Sequence, residues 1–252
     1  MSWRYMILFM AWGTAVLAQI NTEKYRQDNE QAGLSGHIDL SAQIITGNTD
    51  YRFYTMSGRL NQNWGKAYTF LVVDGGMGRN KGQRFMDQAL THFRHVIALG
   101  KSLQHETFAQ KDFNKKRNLS DRIVFGSGLR LRVMKTEAVK LRAAIAYMFE
   151  REWYTLSAND THQRRMDAHR ISSYVTLEYK LEKNVSLIAV TYFQPEILGP
   201  KDNRVLSESA LVVKLGPHLD LQNSLNLRFD SRPPTGVKKT DMTLKTGLSV
   251  RF

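Results

Sequence analysis

Residues 119–152, LSDRIVFGSGLRLRVMKTEAVKLRAAIAYMFERE, indicate which kind of fold this chain adopts. Apolar side chains occupy most odd positions from Asp121 to Val133, and the same alternation returns from Val139 onwards. A repeat of two residues is that of a β-strand, so the stretch predicts a hairpin with one apolar and one charged face. Each arm is about 13 to 15 residues long, whereas globular strands usually have 5 to 6. A soluble sheet buries such a face in a core and a transmembrane barrel turns it towards lipid; the length favours the barrel.

The first 18 residues have the pattern of a secretory signal peptide. Arg4 gives a basic start, an apolar region follows, and Val16-Leu17-Ala18 is a small-residue cleavage site. The alternative is an N-terminal membrane helix, which needs about 20 apolar residues, more than this region has. The sequence therefore predicts an exported protein with a cleaved leader.

Three segments follow from this interpretation. Residues 1–18 form the leader, residues 19–35 a polar periplasmic lead-in, and residues 36–252 one β-barrel domain.

The chain has no cysteine, which excludes disulfides, a thiol nucleophile and a lipoprotein anchor. Removing residues 1–18 takes away one basic residue and no acidic one, which leaves a formal net charge of +12. In an exported protein such a charge favours phosphate-rich lipopolysaccharide or an anionic solute as partner, and no nucleic acid.

The same alternation continues along the chain and predicts about twelve antiparallel strands, with no helical pattern. The predicted connections alternate between short and mostly longer ones. The short ones are 63–66, 100–102, 134–137, 182–184 and 216–218; the longer ones are 79–85, 114–118, 155–168, 195–203 and 231–239. Short periplasmic turns, longer extracellular loops and an even strand number are typical of a barrel in the outer membrane of a Gram-negative bacterium.

The last residue, Phe252, falls on the lipid-facing side of the final predicted strand. Bacterial barrels generally end on such an aromatic residue because the barrel assembly machinery reads the last strand. We therefore expect Phe252 to act as an assembly signal.

Several polar segments resemble the exported bacterial family of domain of unknown function 481, which includes proteins called salt-induced outer-membrane proteins. The resemblance covers about residues 33–252. The matching segments are Gly47-Asn48-Thr49, Glu106-Thr107-Phe108-Ala109-Gln110, Leu119 with Arg122, Gly126-Ser127-Gly128-Leu129-Arg130, Phe149-Glu150-Arg151-Glu152, Arg170-Ile171-Ser172-Ser173-Tyr174, Tyr192-Phe193-Gln194-Pro195, Asp202-Asn203-Arg204 and Asp230-Ser231-Arg232-Pro233-Pro234. The resemblance implies an outer-membrane barrel and leaves the activity open. Met148-Phe149 departs slightly from the tyrosine that usually precedes the paired glutamates.

Because alternate residues of a strand lie on the same face, the sequence predicts one inward-facing polar cluster towards the outer end of the lumen. We expect Arg122 near Glu150, Glu152 near Arg170, and Gln110 near Arg122. The cluster has two interpretations: a ladder of ion pairs that fills a closed interior, or a constriction that selects a charged solute.

A second inward set is purely basic and lies deeper in the barrel: Arg130, Arg132, Lys140 and Arg142. No acidic residue of the same hairpin faces this set, which predicts an inner vestibule with anion preference. Gly126 and Gly128, opposite Ala144 and Ala146, are expected to leave space there.

The predicted outer loops are also basic. Their cations are either solvated loop tips or contacts to lipopolysaccharide phosphates, which pair well with guanidinium and ammonium groups. The expected contact residues are Arg79, Lys81, Lys115, Lys116 and Arg117.

Signals for an enzyme are weak. The apolar face offers Ser127, Ser173 and His95, as a lipid hydrolase would need, but the expected register brings no Ser and His together. His162 and His169 border the longest loop, where a metal ion is a minor alternative. We expect no enzyme, no cofactor and no metal.

The sequence thus leaves three functions open for a monomeric outer-membrane barrel. The leading one is a narrow, porin-like channel or solute-binding barrel with a net basic lumen. The second is a structural barrel with a closed lumen that supports the envelope under osmotic stress. The third is an outer-membrane lipid hydrolase.

Overall fold

A computed structural model describes residues 33–216 and 219–250. The predicted leader, most of the lead-in and Phe252 lie outside these residues. No helix in the described part of the chain is long and apolar enough to span a membrane.

The described residues form one antiparallel sheet of twelve strands, in which each strand pairs with its neighbour in sequence. The strands are β1 (Gly33–Ile45), β2 (Tyr51–Asn63), β3 (Ala67–Asn80), β4 (Gln83–Ala98), β5 (Leu103–Asn114), β6 (Leu119–Lys135), β7 (Val139–Tyr154), β8 (Arg165–Lys180), β9 (Val185–Pro195), β10 (Asn203–Lys214), β11 (Leu219–Asp230) and β12 (Thr240–Val250). A single 3₁₀ turn, Lys115–Arg117, joins β5 to β6. The predicted all-β antiparallel barrel fold is confirmed.

The alternation places apolar side chains outside and polar ones inside. On the hairpin of β6 and β7, Phe125 is 54% exposed and Ile145 57%, whereas Arg122 is 2% exposed and Glu150 0%. This is the reverse of a soluble sheet, whose apolar face is buried, and it is the pattern of a barrel whose outer surface meets lipid.

The sheet curls so that side chains of distant strands meet inside it. The Tyr174 hydroxyl on β8 donates to Glu106 on β5 over 2.7 Å. Arg117, before β6, lies 3.4 Å from Asp230 at the end of β11. Within residues 33–216 and 219–250 the two edge strands differ from the rest, since β1 is paired only with β2 and β12 only with β11.

The connections alternate in length as expected at one end of the barrel but not everywhere at the other. The predicted loop 79–85 is wrong: β3 and β4 continue to Asn80 and from Gln83, and Lys81-Gly82 alone makes the turn. Both turn residues have positive φ, 48° and 76°. Two consecutive residues with positive φ form the tight two-residue turn of a β-hairpin, and glycine is preferred at the second of the two positions. The longest outer loop is confirmed but is shorter than predicted, since β8 already begins at Arg165.

Candidate functional site

The outer half of the lumen holds a set of buried guanidinium and carboxylate groups, here called the charged network. Its basic members are Arg117, Arg122, Arg170, Arg204 and Arg228, and its acidic members are Asp112, Glu150, Glu152, Asp202 and Asp230. All ten side chains are at most 4% exposed except Arg117, at 11%. Eight of them lie at inward positions of the strands, and Arg117 and Asp202 lie just before β6 and β10, so strand alternation directs most of these side chains into the lumen.

Arg204 on β10 is the centre of the charged network. Its Nη1 donates to both carboxylate oxygens of Glu150 over 2.9 Å. Its Nη2 donates to Glu152 over 2.7 Å, and its Nε lies 3.3 Å from Asp230. One guanidinium therefore joins β7, β10 and β11 across the lumen. The Tyr154 hydroxyl adds a further hydrogen bond to Glu152, of 3.0 Å.

Two other arginines complete the charged network. Arg170 donates from Nε to Glu150 over 2.5 Å, and its Nη2 lies 2.9 Å from Asp202. Arg122 donates from Nε to Asp112 over 3.0 Å. Planar guanidinium groups suit this bridging because their donors form a rigid fork.

The predicted cluster is brought together, with different partners for some members. Arg122 lies near Glu150, with 3.8 Å between Nη1 and Oε2, but its hydrogen-bond partner is Asp112. The pairing of Glu152 with Arg170 is wrong, since Glu152 binds Arg204 and Arg170 binds Glu150. Gln110 joins indirectly, by donating to Asp112 over 2.7 Å.

The charged network also has members that the sequence prediction missed: Arg204, Arg228, Asp112, Asp202 and Asp230. The strand register could have revealed Arg204. This residue lies opposite Gln194 on the neighbouring strand, and Gln194 also faces inward. With these members, five guanidiniums face five carboxylates. A formally neutral set of paired charges is the arrangement of a structural ladder rather than of a site that attracts an ion.

A second layer lies below the charged network, further from the outer loops. Arg94 lies 3.4 Å from Glu106 and stacks over the ring of Phe108, 5.3 Å from its centroid. Arg130 lies 3.7 Å from the same glutamate. These groups and their neighbours enclose a cavity of about 50 Å³. That volume has room for a few water molecules, since one needs roughly 10–15 Å³.

The space expected beside Gly126 is filled. A Cβ at Gly126 would lie 2.1 Å from Cζ of Phe108, so the phenyl ring occupies the place that a larger side chain would take. The glycine is there to admit an aromatic ring from the neighbouring strand rather than to leave a void.

The four vestibule residues have partners from outside their own hairpin. Lys140 and Arg142 lie 3.0 and 2.7 Å from Glu178 on β8. Arg130 meets Glu106 and Gln104 of β5, and Arg132 donates to the Lys101 carbonyl over 3.2 Å. Three of the four therefore have an acidic partner on a neighbouring strand, which the prediction missed because it considered a single hairpin, while Arg132 has a backbone carbonyl.

The opposite side of the lumen has a different character. Inward positions on β11, β12 and β1 carry mostly small or uncharged polar side chains, here called the polar wall: Asp220, Gln222, Ser224, Asn226, Asp241, Thr243, Lys245, Gly247, Ser35, Asp39, Ser41 and Gln43. These residues are partly or fully exposed, and none is buried. A groove of about 440 Å³ runs beside Ser224 and Gly247.

Two outer loops meet above the lumen. Asp160, in the loop between β7 and β8, accepts hydrogen bonds from the His162 backbone N–H, over 2.9 Å, and from the Thr235 hydroxyl, over 2.8 Å. The first of these bonds, and then the second, lower the pKa of Asp160. His162 also contacts the Arg232 carbonyl, at 3.3 Å. The loops after β7 and β11 are therefore held together over one side of the opening.

The basic residues expected at lipopolysaccharide fall into two groups. Arg79, Lys81, Lys115 and Lys116 are exposed at the outer rim. Arg117 is turned inward to Asp230, so its predicted role as a surface contact is wrong.

On the outer face, a serine and a histidine that the expected register did not bring together are in contact. His105 Nε2 lies 2.9 Å from Ser127 Oγ, and both residues face outward. His95 instead contacts Thr69, and His169 contacts Tyr147. His162 lies in the loop and stacks edge-on against Tyr154. Among the described residues, no group of three metal-binding side chains comes together.

The fold and the inner side chains define a class: a twelve-stranded meander barrel with an apolar outer face and a polar interior. A family model described as protein of unknown function, DUF481, matches residues 38–252, and the chain belongs to that family. Among solved structures, the NanC porin is 13% identical, with a TM-score of 0.47 over 87% of this chain and 98% of its own. No curated protein matches the chain significantly.

Proposed function

We propose that the chain is an outer-membrane β-barrel that forms a narrow channel for small hydrophilic solutes along its polar wall. The observation that carries the proposal is the division of the lumen. One side is closed by ten buried charged groups, and the other side carries the polar wall beside a groove of about 440 Å³.

The outer surface supports a location in a membrane. Large apolar side chains such as Leu40, Phe125 and Leu244 are 74%, 54% and 70% exposed. Such continuous apolar exposure is unfavourable in water and favourable in a bilayer. A β-barrel of this type in the outer membrane also agrees with the signal-peptide pattern at residues 1–18.

The charged network has a mechanical role in this proposal. Because it is formally neutral and its charges are paired, it does not attract ions; it fixes β5–β8, β10 and β11 relative to one another. What remains open is the polar wall, whose hydroxyl and amide groups can replace the water around a passing solute.

The test uses the absence of native cysteine. Thr243→Cys places a thiol on the polar wall, Ser172→Cys places one in the packed interior, and Leu244→Cys one on the outer face. In planar bilayers we expect single-channel currents from the wild-type barrel. A charged methanethiosulfonate reagent should reduce the current at least twofold for Thr243→Cys and leave the Leu244→Cys control unchanged.

The outcomes separate the candidate functions. Block through Ser172→Cys but not through Thr243→Cys would move the path to the packed side and contradict the proposal. A wild-type barrel that inserts but carries no current would favour the structural envelope role, since the charged network would then be part of a closed interior.

A second candidate is lipid hydrolysis, favoured by the contact between His105 and Ser127. An imidazole within hydrogen-bond reach of a hydroxyl can accept its proton during attack on an ester. Ser127→Ala should then abolish release of fatty acid from phospholipid vesicles, while Ser173→Ala on the same face should not. Equal rates for wild type and Ser127→Ala would reject this activity.

A further inference from the structure

Three arginines stand side by side at the outer end of β2, β3 and β4; we call them the arginine row. Arg52 pairs in register with Arg79, and Arg79 pairs with Arg84. Arg52 precedes the buried, inward-facing Phe53, so its own side chain points outward. Like charges directly opposite each other on neighbouring strands destabilise a sheet. Three in succession therefore indicate that something outside the sheet neutralises them.

The carboxylates nearby are too few to do so. Asp50 lies 3.5 Å from Arg52, at a site where both side chains are about half exposed. Asp87 is shared between Arg84 and Lys115, the latter at 2.8 Å. Lys81 and Lys116 add two more exposed cations at the same rim. Six basic groups thus surround two acidic ones and leave a local surplus of positive charge.

The charged network inside the barrel shows the contrasting arrangement. There, five guanidiniums are matched by five carboxylates, because buried charges without partners are strongly unfavourable. Among the described residues, the arginine row and its neighbouring lysines have only Asp50 and Asp87 as paired carboxylates, so they are not matched charge for charge and a mobile anion from the surroundings is the natural counter-charge.

The position of the arginine row identifies the anion. On the same outward side, directly below the row, the exposed residues are apolar: Tyr54 and Met77 are 37% and 38% exposed, and Met56 is 45%. An apolar surface capped by cations matches a lipid, whose acyl chains lie against the apolar part and whose headgroup lies at the cations.

We propose that Arg52, Arg79 and Arg84, with Lys115, form a binding site for the phosphorylated headgroup of an outer-leaflet lipid. Guanidinium groups bind phosphate through two parallel hydrogen bonds, and neighbouring arginines can grip adjacent phosphate oxygens. Arg52 joins the rim residues predicted from sequence, and Arg117 is excluded from them. The proposal rests on the outer-membrane location argued above but not on channel activity.

The experiment compares lipid binding by the purified full-length barrel in detergent. The probes are lipid A with both phosphates and the same lipid with its phosphates removed, quantified on the protein by native mass spectrometry. We expect Arg52→Gln with Arg79→Gln to lower affinity for phosphorylated lipid A at least tenfold. The matched control is Arg165→Gln, an exposed rim arginine that Asp167 already pairs at 3.2 Å, and it should change affinity less than twofold.

A second readout separates binding from misfolding. Without lipid, Arg79→Gln should raise the thermal midpoint of the barrel, because it removes the central charge of a repulsive row. A variant that loses lipid and also melts earlier would indicate damage to the fold and overturn the proposal.

Further outcomes decide the identity of the ligand. Equal affinity of the wild type for the two lipids would overturn the phosphate site, as would equal affinity of the wild type and the double glutamine variant for phosphorylated lipid A. Displacement of that lipid by millimolar inorganic phosphate would show a general anion site instead. Failure of the wild type to insert into bilayers would contradict the proposed membrane location itself, a different result from failure of the site.

Discussion

The charged network and the polar wall face each other across one lumen, yet they are built by opposite means. The charged network uses long side chains whose charges are buried and paired, whereas the polar wall uses mostly short or uncharged polar side chains that remain partly or fully exposed. The difference indicates that one side of the barrel is optimised for fixed geometry and the other for contact with water.

The two sides of the lumen should therefore differ in how well they tolerate substitutions. A buried ion pair contributes little net stability compared with apolar packing, but its disruption is costly because one charge is left without a partner. Exposed polar residues can be exchanged at little cost. Substitutions should therefore affect stability strongly on the packed side and affect passage of solutes on the polar side.

The largest expected effect is that of Arg204→Ala. It leaves Glu150 and Glu152, both buried, without their principal donor, and removal of one partner of a buried pair costs about 3–5 kcal/mol. Unfolding by guanidinium chloride in detergent measures the change in free energy. The exposed Arg132→Ala serves as the control and should change it by about 0.5 kcal/mol or less.

The pairing itself is tested by a double-mutant cycle. Arg204→Ala together with Glu152→Ala should recover part of the loss, because one uncompensated carboxylate disappears. Strictly additive effects of the two substitutions would show that they do not interact, and the charged network would then not have Arg204 at its centre.

The faces of these residues could be predicted from sequence, while several of their partners could not. On the hairpin of β6 and β7 the turn is formed by residues 136–138 rather than 134–137, and Arg122 pairs in register with Glu152 instead of Glu150. A shift of two residues keeps every side chain on the same face. The inward set was therefore right even where the pairs within it were wrong.

Contacts across the lumen were beyond sequence reasoning for another reason. Arg204 and Glu150 lie 54 residues apart on β10 and β7, two strands between them. Local alternation specifies the direction of each side chain but not the curvature of the sheet, which decides which strands face each other. Similarly, nothing apolar marks the ends of β3 and β4 at Asn80 and Gln83, and the polar, basic composition there resembles a loop.

A smaller effect should separate two glycines on the two sides of the lumen. A Cβ at Gly126 would lie 2.1 Å from the Phe108 ring, whereas a Cβ at Gly247 on the polar wall meets nothing within 4 Å. Gly126→Ala should destabilise the barrel by about 1–3 kcal/mol because the ring must move in a packed interior. Gly247→Ala should be neutral or stabilise by up to about 1 kcal/mol, because it restricts the unfolded chain.

Both glycine variants are measured by the same unfolding experiment. Equal destabilisation by the two substitutions would contradict the division of the lumen into a packed and an open side. Destabilisation by Gly247→Ala alone would reverse the assignment of the packed and the open side.

The smallest effect concerns the loops that join above the packed side. Since the pKa of Asp160 is lower in the folded protein than its ordinary value of 3.8, the attachment stabilises the folded loops above that value. The contribution is lost as the pH falls through the lowered pKa.

At pH 7, Asp160→Asn should therefore speed amide hydrogen exchange in residues 155–164 and 231–239 and leave exchange in the strands unchanged. Wild type should show the same change only in strong acid. Asn159→Ala, beside it in the same loop, is the control. If Asp160→Asn also speeds exchange in β7 or β11, the loop contact is part of the charged network beneath it rather than a separate closure of the packed side.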